Sequence, residues 1–264
     1  MKLAFIGLGN MGSAMIGGII KKGTVDSKDI TGAEANGERC KAVAERFGIK
    51  TTVSNKEAVK DADILVLSVK PQVYETVIDD IKDTVSDDTV IVSIAPGKTI
   101  AWITERFGRP LKLVRCMPNT PALVSEGCTG VVKGEKVTDE EFETVMKILE
   151  SFGKAYEISE KQIDAVVALS GSSPAYVFMM IEAMADAAVR EGLQRDKAYE
   201  MAAQAVYGSA KMVLETGKHP GELKDMVCSP GGTTIEAVAM LEKTGFRSSL
   251  MEAMKVCADR SGRL

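Results

Sequence analysis

Near its start the chain runs a short apolar segment, Lys2-Leu3-Ala4-Phe5-Ile6, straight into Gly7-Leu8-Gly9-Asn10-Met11-Gly12, with a helix-like stretch from Ala14 to Ile20 behind it. Strand, glycine turn and helix in this order constrain the fold more than any other feature. Gly7 permits a tight turn, Gly9 removes a side chain where a backbone must approach a pyrophosphate, and Gly12 lets the helix lie close to the strand. The helix N-terminus then offers free N–H donors to an anion. These residues, with Ile6 at the strand end, are the expected core of a dinucleotide site; a tight β–α turn without a ligand is the plainer alternative.

The segments that follow alternate between strand and helix through about the first 155 residues. Ile30-Thr31-Gly32-Ala33, Ala62 to Val69, Thr89 to Ile94 and Leu111 to Cys116 read as strands, with further short ones at Gly130-Val131-Val132 and Ala155 to Ile158. Helices between them imply β–α–β crossovers and a mainly parallel sheet. A helix over residues 138–151 should start on Thr138, with Glu141 closing a capping box. After Ser159 only helices are expected. The reading is therefore an α/β Rossmann-type dinucleotide-binding domain over 1–159 and an all-α domain for substrate binding and dimerisation over 160–264.

Ala33 ends the second expected strand and Glu34 follows it, where an acidic side chain bonds a ribose 2′-hydroxyl and repels a 2′-phosphate. Asn36 and Arg39 lie near enough in sequence to do the opposite. Local chemistry thus leaves NADH open beside NADPH.

Composition narrows the partners. The chain has 33 Lys and Arg against 37 Asp and Glu, a formal charge of −4, and no dense basic run, so nucleic acid is not an expected partner. Cys40, Cys116, Cys128, Cys228 and Cys257 are odd in number and form no CxxC, which predicts small buried hydrophobes; neither a disulfide framework nor a metal site is expected. There is no signal-peptide pattern and, on this reading, no apolar run of about 18 residues, so no membrane partner and a cytoplasmic location are expected.

From Pro174 to Arg190 the polar residues Glu182, Asp186 and Arg190 recur every four positions, and Tyr176, Val177, Phe178, Met179, Met180, Ile181, Met184 and Val189 fill most of the rest. So narrow a polar stripe must be covered on more than one side, either by a large monomeric core or by a second subunit. With few residues available to surround it, the interface is favoured. Later, Ser229-Pro230-Gly231-Gly232-Thr233-Thr234 stops one helix and starts another, a junction that suits a small carboxylate or is ordinary capping by threonine. Ser170-Gly171-Ser172-Ser173-Pro174 offers a similar pair of readings. Neither break contains an acid, a base or a metal ligand. His219, the single histidine, precedes Pro220 at a helix break and reads as structural rather than as an acid catalyst.

Together Gly7 to Gly12, Ser68-Val69-Lys70-Pro71, Met117-Pro118-Asn119-Thr120-Pro121, Leu169 to Tyr176, His219 to Asp225 and Ser229 to Ile235 resemble the Δ1-pyrroline-5-carboxylate reductases, the last enzymes of proline synthesis. The resemblance spans essentially the whole chain. It implies that Leu8, Asn10 and Met11 line the cofactor phosphates, Asn55 the adenosine ribose, and Val69, Lys70 and Ala95 the nicotinamide side. It implies that Ser229, Gly232, Thr233 and Thr234 hold the substrate, 1-pyrroline-5-carboxylate, with the Thr234 hydroxyl as the catalytic group on the ring nitrogen. NADPH is the cofactor it implies, with NADH as the alternative. It further implies a homodimer or a ring of dimers, in which the substrate segment of one subunit faces the glycine turn of another. One departure stands out. Some relatives carry a substrate-contacting Glu two positions before the His-Pro pair, and this chain has Gly217 there.

Reduction of an already protonated cyclic imine needs a hydride and good positioning, and no nucleophile. A β-hydroxy acid dehydrogenase-like reductase would place a lysine proton donor in the buried helix, and none lies between Pro174 and Val189. A non-catalytic dinucleotide sensor would bind cofactor without turnover.

Overall fold

The computed structural model describes residues 1–263. Its first half alternates β1 (Leu3–Ile6), α1 (Asn10–Lys22), β2 (Ile30–Ala33), α2 (Gly37–Phe47), β3 (Lys50–Thr52), α3 (Asn55–Val59), β4 (Ile64–Leu67) and α4 (Tyr74–Ile81). It continues through β5 (Val90–Ser93), α5 (Ile100–Phe107), β6 (Lys112–Met117), β7 (Gly127–Lys133), α6 (Asp139–Leu149) and β8 (Gly153–Glu157). Along β1, Leu3 and Phe5 enter one apolar cluster with Met15, Ile16 and Ile19 of α1, whereas Ala4 and Ile6 enter another with Tyr74, Ile78 and Ile81 of α4. A strand buried on both faces reads as an unbroken apolar run, which is why these short segments were recognisable without alternation.

The eight strands form one sheet in the order β3-β2-β1-β4-β5-β6-β7-β8. All neighbours are parallel except β6 and β7. The order reverses between β1 and β4, and in an open parallel sheet that reversal leaves a crevice at the carboxyl ends of the two strands. β3 was not expected: Lys50, Thr51 and Thr52 carry no apolar signal and become a strand only by pairing with Thr31, Gly32 and Ala33. The capping box on α6 is present as expected. Thr138 Oγ1 accepts from the Glu141 N–H at 3.3 Å and Glu141 Oε2 from the Thr138 N–H at 2.9 Å.

The described residues divide into two compact units, Met1–Ser172 joined by the chain from Cys257, and Ser173–Val256. The first unit therefore extends past the expected boundary at 159/160. α7 (Ile163–Val166) and the π turn Val167–Gly171 bring Ile163 and Val167 against Val132 of β7, a packing that alternation of elements cannot report. The Ser261 hydroxyl donates to Asp164 Oδ1 at 2.6 Å and ties the chain end into the same unit.

The second unit is helical: α8 (Ser173–Arg190), α9 (Arg195–Thr216), α10 (Pro220–Val227), α11 (Thr233–Lys243) and most of α12 (Phe246–Ser261). In α8 Ala185 alone is buried, while Phe178 is 63% and Met179 69% exposed. The helical stretch Glu160–Arg190 is long and apolar enough to cross a membrane by length and mean composition, yet Ser170 to Ser173 and Glu182 divide its apolar residues into shorter runs, and one such helix does not make a membrane span.

Tyr74 links the ends of β4 and β5 from below the crevice. Fully buried, its hydroxyl donates to the Leu67 carbonyl at 2.7 Å and lies 3.1 Å from Ser93 Oγ. Burial pushes its phenol well up from the ordinary range, against smaller opposing hydrogen bonds. Tyr74→Phe should therefore lower stability by about 1–3 kcal/mol, read as a lower urea midpoint at unchanged slope. Because the phenol titrates higher folded than unfolded, its contribution is intact below about pH 10 and falls as pH rises beyond it. The phenylalanine variant should lack that part of the alkaline loss.

Candidate active site

At the strand-order reversal, the turn after β1 meets the turn after β4. Gly7 adopts φ +97, and a Cβ there would lie 2.7 Å from the Ser68 carbonyl oxygen, so both its backbone shape and its neighbour demand glycine. The Gly7 N–H donates to the Ala33 carbonyl at 2.8 Å, and the Ser68 N–H to that of Ile6 at 2.9 Å. The Ser68 hydroxyl lies 2.7 Å from the Gly7 carbonyl and 3.1 Å from that of Ile6. Gly12 is required by packing, since a Cβ would strike the Gly7 carbonyl and the Ser68 hydroxyl. Gly9 is different: a Cβ there would meet no protein atom within 4 Å, so nothing in the surrounding fold demands its bareness.

Gly9 is also the N-cap of α1. No side chain caps it, the first turn has no acid, and Lys21 and Lys22 sit at the far end. The positive end of the helix therefore faces open space, the arrangement that binds a phosphate. Asn10 is exposed and Met11 half-buried beside it. The Leu8 side chain lies in the core against Gly32, so only its backbone turns toward the loop, and its N–H donates to Glu34 Oε2 at 3.1 Å.

Around this turn, Ile6 and Ala33 are the buried last residues of β1 and β2, paired in register. Asn55 opens α3 and donates its amide to Asp80 Oδ2 at 3.1 Å. Val69 and Lys70 follow β4, Lys70 exposed and in none of the ion pairs among the described residues. Ala95 follows β5 and is buried. These residues follow the carboxyl ends of β1, β2, β4 and β5 or open α3, so the sheet edge carries free helix N–H donors and polar side chains together. Two residues whose roles spacing along the chain does not reveal are Ser68, which holds the turn, and Asn119. The Asn119 amide donates to the Ser170 carbonyl at 2.9 Å and its oxygen accepts from the Cys128 N–H at 2.8 Å, pinning the π turn to β7. Its place in Met117-Pro118-Asn119-Thr120-Pro121 was the available signal.

In the helical unit, Gly231 adopts φ +66 and Gly232 is the N-cap of α11, with its N–H donating to the Ser229 carbonyl at 3.1 Å. A side chain at Gly232 would run into the Ser229 hydroxyl. Because glycine takes the cap position, Thr233 and Thr234 fall in the first turn, and among the described residues neither hydroxyl is engaged in capping. The junction thus presents backbone N–H groups and hydroxyls together. Ordinary threonine capping does not describe it. Gly217, at φ +64, ends α9 with its N–H on the Val213 carbonyl at 3.1 Å, a left-handed site that a glutamate would strain.

A family model described as pyrroline-5-carboxylate reductase dimerisation matches residues 160–264, and one described as NADP oxidoreductase, coenzyme F420-dependent, matches residues 2–97. The pyrroline-5-carboxylate reductase of Escherichia coli (strain K12) is 50% identical over 263 residues, covering 100% of this chain and 98% of that protein. The solved pyrroline-5-carboxylate reductase of Coxiella burnetii superposes with a TM-score of 0.93 at 34% identity, over 99% of this chain and 97% of its own. That of Plasmodium falciparum, solved with NADP bound, gives 0.90 at 33% identity over 100% and 97%.

His219 is the N-cap of α10, its Nδ1 accepting from the Gly221 N–H at 3.0 Å, which accounts for a histidine before Pro220 without catalysis. His219→Ala should lower stability by about 0.5–2 kcal/mol in urea unfolding while leaving turnover unchanged, and His219→Asn should restore the loss. A fall in turnover shared by both variants would return the imidazole to the mechanism.

Proposed function

Since the chain belongs to the pyrroline-5-carboxylate reductase family, we infer that it reduces the C=N bond of 1-pyrroline-5-carboxylate to give proline, with NADPH as reductant. The start of α11 carries the site reading, because a glycine cap leaves two hydroxyls and the helix N–H groups free for a carboxylate-bearing ring. In this reading Leu8, Asn10 and Met11 line the cofactor phosphates, Asn55 the adenosine ribose, with Glu34 beside its 2′ position, and Val69, Lys70 and Ala95 the nicotinamide end. The bound cofactor supplies the hydride and both electrons.

The protein's own part is to bind, orient and exclude water. Ser229 and the N–H groups of Gly232, Thr233 and Thr234 fix the substrate carboxylate. The Thr234 hydroxyl bonds the ring nitrogen as it passes from iminium to amine, so the developing lone pair finds a donor already in place. No strong acid is needed for an imine that binds protonated, and none is supplied: His219 is committed to its cap. The absence of lysine from α8 weighs against a β-hydroxy acid substrate.

The exposed apolar face of α8 and the dimerisation match support a homo-oligomer whose helical units cover one another. We place the enzyme in the cytoplasm, as a dimer or a ring of dimers, with no nucleic-acid or membrane partner; the charge of −4 without a dense basic run supports the exclusion of nucleic acid.

Thr234→Ala should lower kcat/KM by about 2–4 kcal/mol of transition-state stabilisation while NADPH titrates normally, and Thr234→Ser should recover much of the loss. Unchanged efficiency in the alanine variant would remove Thr234 from the reaction. Mixing two inactive variants, Gly9→Asp and Thr234→Ala, should restore part of the activity if subunits share sites. Sedimentation of the wild type as a monomer at micromolar concentration would overturn the assembly.

A further inference from the structure

The loop that follows β5 begins with Ala95 and turns through Gly97, at φ +73, before α5 starts at Ile100. Tyr74 supports its near side at Ser93, and its far end is held from a distant part of the chain. Glu160 Oε1 accepts from the Ile100 N–H at 2.9 Å and from Arg115 Nη1 at 2.8 Å, so one carboxylate oxygen joins the start of α5 to β6. Arg115 stands opposite Ser93 in the β5–β6 pairing, and only 6% of its side chain is exposed. Glu160 is itself fixed by the turn it opens, where the Ser159 N–H and hydroxyl both donate to Gln162 Oε1, at 2.9 and 3.0 Å. A buried guanidinium is costly to desolvate, and apolar side chains of similar volume keep such a place at least as stable. Stability therefore does not explain the pair. What apolar residues could not provide is an acceptor aimed at the Ile100 N–H.

We propose that Glu160 is a positioning residue for hydride transfer: it latches the far end of the loop after β5 to the sheet, and so fixes the wall against which the nicotinamide ring lies. This role rests on reading Ala95 as part of the nicotinamide side. A ring that leans on a loop moves with it, and hydride transfer falls steeply when the reacting atoms are slightly misplaced. The phosphates and the adenosine ribose are held elsewhere, at the turn after β1 and at the start of α3, so the affinity for the whole dinucleotide does not depend on the latch. Glu160 touches no reacting atom. Arg115 in turn orients the Glu160 carboxylate, and the buried pair is retained for direction rather than for stability.

Single-turnover oxidation of NADPH tests it, with the full-length enzyme in excess over NADPH and pyrroline-5-carboxylate saturating. The amplitude counts folded sites, and the rate constant reports the transfer itself. Glu160→Ala should lower that rate constant about tenfold or more, with the NADPH Kd from fluorescence titration little changed. Glu160→Gln keeps an acceptor for the Ile100 N–H and should be faster than the alanine variant. Combining Glu160→Ala with Arg115→Met removes both charges, so the urea midpoint should return to the wild-type value or above while the rate constant stays low. The latch is overturned by a fall of less than about threefold in Glu160→Ala, by an NADPH Kd weakened as much as the rate, by a glutamine variant no faster than alanine, or by a rate constant that recovers with the midpoint in the double variant. Each of these results leaves the proposed reaction in place. A wild type that does not oxidise NADPH with pyrroline-5-carboxylate removes that reaction, and the role of Glu160 with it.

Discussion

The approach of the turn after β1 to the turn after β4 governs the carboxyl edge of the sheet. Gly7 can come within contact of Ser68 because it has no side chain and tolerates φ +97, and the Ser68 hydroxyl then holds the Gly7 and Ile6 carbonyls. That contact sets where α1 begins, and Gly12 lets the helix stay pressed on the same turn. The cost of the close approach is that two positions accept only glycine. What it produces is a helix N-terminus with no capping side chain, facing open space at Gly9. Below it, Tyr74 joins the β4 end to the β5 end, so the residues from Ser68 to Ala95 are supported by a buried hydrogen bond rather than by loop packing alone.

The same device appears twice with different cargo. In the sheet-bearing unit the helix start at Gly9 suits phosphate; in the helical unit the start of α11 at Gly232 suits a carboxylate. In both, glycine occupies the cap position that serine, threonine or aspartate would otherwise take, and the orphan N–H groups are left for a ligand. By contrast, α6, α2 and α10 are closed by the side chains of Thr138, Asn36 and His219.

The helical unit would be poorly covered as a lone chain. Its buried helix positions are alanines, Ala185, Ala198 and Ala202, whereas Phe178, Met179 and Met201 are turned out. Small residues let α8 and α9 lie close, and the large ones are left over for another subunit, in keeping with the dimerisation family that this part of the chain matches.

By itself the sequence determined the alternating βα half, the dinucleotide turn and the capping box at Thr138 and Glu141, since each rests on residues close in the chain, and the apolar excess of α8, which composition alone reveals. Gly7 was legible from the tight turn it makes and Gly12 from its closeness to the Gly7 carbonyl, while the contact of both with Ser68 belongs to the tertiary structure. Only the tertiary structure decided the rest. β3 exists because Lys50, Thr51 and Thr52 find β2, and no local propensity announces it. The first unit reaches Ser172 because Ile163 and Val167 fill a space over β7, more than thirty residues back in the chain. Glu34 could have pointed to solvent from a turn; its bond to the Leu8 N–H, formed across the β1–β2 pair, turns it over the crevice. Likewise, Ser229 to Thr234 could have been an ordinary cap until the backbone placed Gly232, and not a threonine, at the helix start. Side-chain direction at a turn depends on long-range pairing, and spacing along the chain does not encode it.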